Sequence, residues 1–104
     1  DEAERAVQLE PGNLDALNNM GLIYRRLDRL ERAENTFRRA LAIDPGYPAT
    51  HYNLALVYEQ TGRLGLARRH YRSFLDGGGG SEQVNARVRD RLAELGSSPP
   101  SAAR

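Results

Sequence analysis

Apolar positions recur along this chain at alternating three- and four-residue steps, the spacing that lines one face of an α-helix. Leu14, Leu17, Met20, Tyr24 and Leu27 form one such stripe, and Leu30, Ala33, Phe37, Ala40 and Leu41 form the next. Asn13 precedes the first stripe as an N-cap, and Asp15 suits the positive end of that helix dipole. Asp28 with Glu31 predicts a capping box opening the second helix, and Pro45-Gly46 predicts its end. Gly21 and Ala33 are small at the place where the two helices would cross. Asn13 to Tyr47 therefore reads as one helical hairpin.

The pattern recurs 34 residues on. Pro45 follows Pro11 at that spacing, and so do the identical pairs Asn19/Asn53, Leu22/Leu56, Tyr24/Tyr58, Arg29/Arg63, Leu30/Leu64, Ala33/Ala67 and Leu41/Leu75. A second hairpin is expected over 48–81, with Pro48 in its first turn, where the missing N–H costs nothing. Residues 1–12 read as the second helix of a preceding unit, so the chain is expected to be a piece of a longer array. That reading leaves Ala3, Ala6 and Val7 bare.

Four glycines, Gly77 to Gly80, interrupt the pattern and predict a loose joint, since each costs ~1 kcal/mol against alanine inside a helix. Ser81 then caps a last helix over 82–95, which carries Val84, Val88, Leu92 and Leu95 on one face. Residues 96–104 are expected to be a disordered tail.

Leu17-x-x-Met20-Gly21-x-x-Tyr24, followed by Ala33-x-x-x-Phe37 and Pro45, resembles the tetratricopeptide repeat (TPR) signature. His51-x-x-Leu54-Ala55-x-x-Tyr58 with Ala67-x-x-x-Tyr71 is similar to it again. Leu17 and His51 stand where the family has an aromatic, Met20 stands for a leucine, and Gly79 falls where the proline would recur. The resemblance implies an all-α fold of antiparallel helix-turn-helix repeats stacked as a superhelical solenoid, closed by a C-terminal capping helix. It also implies a concave face built from the first helix of each repeat. That face would carry Asp15, Asn18, Asn19, Leu22, Arg25 and Arg26 from the first copy. The second copy would add Ala49, Tyr52, Asn53, Leu56, Glu59 and Gln60, and the last helix Gln83, Ala86 and Arg87.

Within that implied groove Asn19 and Asn53 are the sharpest ligand-binding residues, because a primary amide both donates to and accepts from a peptide backbone. Leu22, Leu56 and Tyr52 would give apolar contact, and Arg25, Arg26 and Arg87 would pair with acidic groups. Some members of the family clamp the carboxylate end of heat-shock chaperones with lysines, asparagines and an arginine. Asn19, Asn53 and Arg87 match part of that clamp, but Asp15, Asn18, Leu22 and Gln83 do not complete it, so that activity is not expected.

Composition narrows the chemistry. All fifteen basic residues are arginine, which removes lysine-based catalysis and fits a GC-rich genome. Without cysteine there is no disulfide, thiolate metal site or thiol nucleophile. A net charge of +1, from acids and bases mixed along the helices, argues against a nucleic-acid field, and no apolar run approaches the ~18 residues of a membrane span. His51 and His70, nineteen residues apart, carry no metal-ligand spacing; His51 is expected to pack and His70 to be partly exposed. Asp and Glu read as scattered over solvated positions. The expectation is a non-catalytic module without metal or cofactor, binding a protein or peptide partner, with end-to-end self-association open to its bare first unit. The alternative is a C-terminal appendage or spacer of a larger enzyme. The compartment is not indicated.

Overall fold

A computed structural model describes residues 2–96. Six helices follow one another there without a strand: α1 (Glu2–Leu9), α2 (Leu14–Arg26), α3 (Leu30–Ile43), α4 (Pro48–Gln60), α5 (Leu64–Asp76) and α6 (Glu82–Gly96). α2 with α3 and α4 with α5 form antiparallel hairpins, and α4 also packs on α3 and α2, so the hairpins stack. The resulting body is elongated, 50 × 27 × 22 Å. None of its helices is long and apolar enough to cross a membrane.

Helix starts follow the local chemistry in three cases. The Asn13 side-chain oxygen accepts from the Ala16 N–H at 3.0 Å, Pro48 occupies the first turn of α4, and Ser81 Oγ accepts from the Val84 N–H at 3.2 Å. The expected capping box at Asp28 and Glu31 is absent. Arg29 is the N-cap of α3 and makes no side-chain cap bond. Asp28 instead closes α2, in the left-handed region at φ 60°. Its N–H donates to Arg25 O at 3.0 Å and the next N–H, of Arg29, donates to Tyr24 O at 2.8 Å. This is a Schellman turn, which satisfies the last carbonyls of the helix. Gly62, 34 residues later, makes the same turn at φ 77°, with Gly62 N bonded to Glu59 O and Arg63 N to Tyr58 O.

The core divides in two. One cluster joins Val7, Ala16, Leu17, Met20 and Ala40; the larger joins Ala33, Phe37, Leu54, Ala55, Val57, Tyr58, Ala67, Tyr71, Phe74 and Val88. Tyr24 packs against both. Val7 is therefore buried beneath α2 rather than bare; Ala3 is half-buried and only Ala6 is open. Where α2 crosses α3 the backbone of Gly21 lies against the Phe37 ring so closely that a Cβ would fall 2.3 Å from Cε1.

The glycine run is not loose. Gly78 N bonds Leu75 O and Gly79 N bonds Phe74 O, which closes α5 with a third Schellman turn. Asn85 then ties the turn to α6: its Oδ1 accepts from Gly80 N at 2.8 Å and its Nδ2 donates to Gly80 O at 3.3 Å. Val88 of α6 is buried in the larger cluster. α6 runs to Gly96, one residue past the expected 82–95, and the rest of the expected tail, 97–104, lies outside the described residues.

Candidate interaction surface

The first helices of the hairpins, α2 and α4, meet along a polar seam. Asn18 Nδ2 donates to Leu14 O and to Thr50 Oγ1, each at 3.0 Å, and Asn18 Oδ1 accepts from Asn53 Nδ2 at 3.1 Å. All three side chains are buried, Thr50 completely. Every N–H of the Asn18 amide is thus used, as a buried amide requires. At the far end of the same two helices Arg25 Nη1 donates to Gln60 Oε1 at 2.8 Å. At the near end the Tyr47 hydroxyl donates to Asp15 at 3.2 Å, and that bond with the Asp15 charge holds the phenol above its ordinary range.

The seam divides the surface that the repeat pattern implies as one groove. On one side, between α1 and α2, Glu2, Ala3, Ala6, Ala16, Asn19, Leu22, Ile23 and Arg26 line a shallow cleft of about 400 Å³. On the other, between α4 and α6, Tyr52, Glu59, Tyr71, Arg87, Val88, Asp90, Arg91 and Glu94 line one of about 350 Å³. Asn19, Leu22 and Arg26 thus share one cleft, and Tyr52 and Arg87 share the other. Asn53 and Asn18 sit in the wall between them, buried; the Asn18 amide is filled by Leu14 O, Thr50 and Asn53, and Asn53 gives one N–H to Asn18. Leu56 is half-buried on α4, and Arg25 is held to Gln60. Asn19 and Asn53 are equivalent by the repeat, yet α2 covers Asn53 while Asn19 is exposed among the described residues.

Two carboxylates expected to be solvated are not. Glu34 is 8% exposed and takes Arg63 Nη2 at 2.5 Å, Arg38 Nη2 at 3.2 Å and the Tyr58 hydroxyl at 3.0 Å. Burial alone would raise its pKa, but the hydrogen bonds from Arg63 and Tyr58 and the two guanidinium charges outweigh it, and the net shift is downward. Glu59, in the second cleft, accepts from the Tyr71 hydroxyl and pairs with Arg91 of α6. Burial, then the bond to Glu59, pushes the Tyr71 phenol up, so it stays a donor. The Glu59–Arg91 pair pins α6 to α4.

His51 and His70 also meet, although nineteen residues separate them. Their Nδ1 atoms are 3.0 Å apart, and His51 Nε2 lies 2.7 Å from Pro45 O. His51 is buried and His70 half-buried, so the packing expected of the first is combined with a polar contact that the spacing conceals. Among the described residues no group of three or more His, Asp or Glu converges as a metal would require.

Two repeat models of one family match the chain, a TPR repeat over residues 21–62 and a tetratricopeptide repeat over residues 2–35. No curated protein matches the sequence. Among solved structures the chain is similar to the first TPR of Spaghetti (RPAP3) bound to the HSP90 peptide SRMEEVD, with a TM-score of 0.79 and 19% identity, over 90% of this chain and 71% of that one. It is similar also to YrrB, described as a TPR protein with an unusual peptide-binding site, with a TM-score of 0.77 and 18% identity, over 90% of this chain and half of that one. At such identities the structural likeness speaks for the fold. The repeat models, which together span residues 2–62, speak for the family, and the stacked hairpins with their paired Schellman turns agree: the chain is a tetratricopeptide-repeat protein.

Proposed function

We propose that this chain is a protein-interaction module that holds an acidic peptide or partner segment across α2, α4 and α6, without chemistry of its own. The observation that carries the reading is the contrast between spent and unspent polar groups. Glu34 and Glu59 are consumed by arginines, and the Asn18 amide by Leu14 O, Thr50 and Asn53. Among the described residues Asn19, Arg26 and Arg87 have no such partner, and they lie in the two clefts beside Leu22 and Tyr52. An exposed amide can take a peptide backbone bidentately, and a free guanidinium is suited to a carboxylate. The peptide in the Spaghetti structure, with two glutamates and an aspartate, is of that acidic kind. A lysine-containing carboxylate clamp is not part of the proposal, since the chain has no lysine.

The test is a selection from a displayed random-peptide library, followed by anisotropy titration of the winners. Acidic winners that bind about tenfold more weakly to Asn19→Ala or Arg26→Ala, and unchanged to Arg39→Ala on α3, support the reading; the magnitude corresponds to one lost hydrogen bond of about 1.4 kcal/mol. Winners without acidic residues, or equal binding to all variants, overturn it.

A further inference from the structure

Near the junction of the two hairpins, three elements converge on the imidazole pair. His51 is on α4, His70 on α5, and Pro45 is in the turn that joins α3 to α4. A carbonyl oxygen only accepts, so His51 Nε2, 2.7 Å from Pro45 O, must carry a proton. In neutral His51 the Nδ1 is then bare, and the hydrogen in the 3.0 Å contact must come from His70 Nδ1. The ring centroids are 5.2 Å apart with planes inclined by 27°. That separation exceeds the nitrogen separation by about the width of one ring, so the two imidazoles meet edge to edge, in line, rather than face on face. The geometry is a hydrogen-bonded relay running from His70 through His51 to the Pro45 carbonyl.

We propose that this relay is a pH-sensitive latch, closed while one N–H lies between the rings and opened when both rings are protonated, that fixes the second hairpin to the turn leaving the first. A first extra proton on the pair keeps the link, because a single N–H still lies between the two Nδ1 atoms. A second, which makes both rings cationic, sets two N–H groups against each other across 3.0 Å. The latch must then part.

The surroundings bias it toward the neutral, closed form. From α4, Tyr58 lies with its ring 5.4 Å from His70, nearly parallel. From α3 comes Arg38, bonded to the Tyr58 hydroxyl at 3.4 Å, and from α5 comes Arg69. Arg63 covers the Tyr58 ring at 4.6 Å. The one carboxylate of the group, Glu34, is already engaged by Arg63, Arg38 and Tyr58. A charge arriving on His70 therefore meets guanidinium neighbours and no unspent anion. Burial first, then the charges of His51, Arg69 and Arg38, push the His70 pKa down to about 4. The folded value lies below the ordinary 6.5, so the unfolded chain binds the extra proton first. The latch's stabilisation is fully present above about pH 6.5 and is lost as pH falls toward 4.

Two measurements on the full chain test this. Long-range imidazole nitrogen–proton NMR spectra should show His51 protonated on Nε2 and His70 on Nδ1 at pH 7.5, with His70 titrating two or more pH units below an ordinary histidine. The urea midpoint, followed by circular dichroism from pH 7.5 to 4, should fall in the wild type with a slope approaching one proton, and His70→Gln should flatten that slope. The difference between the two chains removes the carboxylates common to both. A His70 that titrates near 6.5, a His70 protonated on Nε2 at neutral pH, or a folded His70→Gln chain with the wild-type slope would overturn the latch. Should His70→Gln not fold, the NMR titration of the wild type decides alone.

Discussion

Replacing Gly21 by alanine sets two helix effects against each other, and the structure says which wins. In an open helix interior the change gains about 1 kcal/mol of propensity. At Gly21 the new Cβ would sit 2.3, 2.5 and 2.8 Å from three atoms of the Phe37 ring. That ring is fully buried, beside Ala33 and the larger cluster, so it cannot swing into solvent. Relief requires α2 and α3 to separate, and overpacking of this kind costs about 1–3 kcal/mol on the net measured change. We expect Gly21→Ala to lower stability by about 1–2 kcal/mol, with a fall in Tm of roughly 4–16 °C for a chain of this size. Gly65 is the control: it lies in the first turn of α5, and a Cβ there would meet nothing within 4 Å, so Gly65→Ala should raise stability by up to about 1 kcal/mol. Urea and thermal unfolding by circular dichroism measure both. A Gly21→Ala chain as stable as the wild type, or a pair of variants that shift together, would refute the argument that close helix approach dominates at that crossing.

Other substitutions probe other joints. Asn18→Ala should cost about 2 kcal/mol in the urea midpoint, because it leaves an Asn53 N–H and the Thr50 hydroxyl buried without their partner; a loss below about 0.5 kcal/mol would mean the seam reorganises around water. Gly79→Ala should free α6 from the stack, since its Cβ would meet Asn85 Oδ1 at 2.3 Å and its φ of 62° is strained for alanine. Hydrogen exchange should then rise across α6 while α2 and α3 keep their protection, and uniform exchange would count against the ordered glycine turn.

The helices are legible in the sequence because their signals are local. Asn13, Pro48 and Ser81 act on the first turn that follows each of them, and each does so in the structure. Asp28 misleads because aspartate serves equally at a helix start and in a left-handed turn; the choice is made by the Arg29 N–H reaching back to Tyr24 O. The surface is less legible, for a non-local reason. Asn19 and Asn53 have the same place in the repeat, but α2 lies over Asn53 and bonds its amide through Asn18, while Asn19 is exposed among the described residues. Asn18 reads as a groove residue because no pattern in sequence shows that Thr50, 32 residues away, completes its hydrogen bonding. Glu34, Glu59 and the two histidines escape a sequence reading in the same way, each through a partner brought up from a different helix.

The seam between α2 and α4 also restricts how the molecule can move. If α4 slipped by one helical turn along α2, Leu54 would replace Thr50 and Val57 would replace Asn53 opposite the Asn18 amide. Neither can hydrogen-bond it, and each buried polar group left unpaired costs about 1–3 kcal/mol. Apolar faces alone would let two helices shear past each other by small, cheap steps; here a sliding step loses its bonds all at once. Motion between the first helices of the two hairpins is thereby biased toward bending about the Asn18–Asn53 line rather than sliding along it, and the α1–α2 and α4–α6 clefts ride on either side of that line as separate bodies.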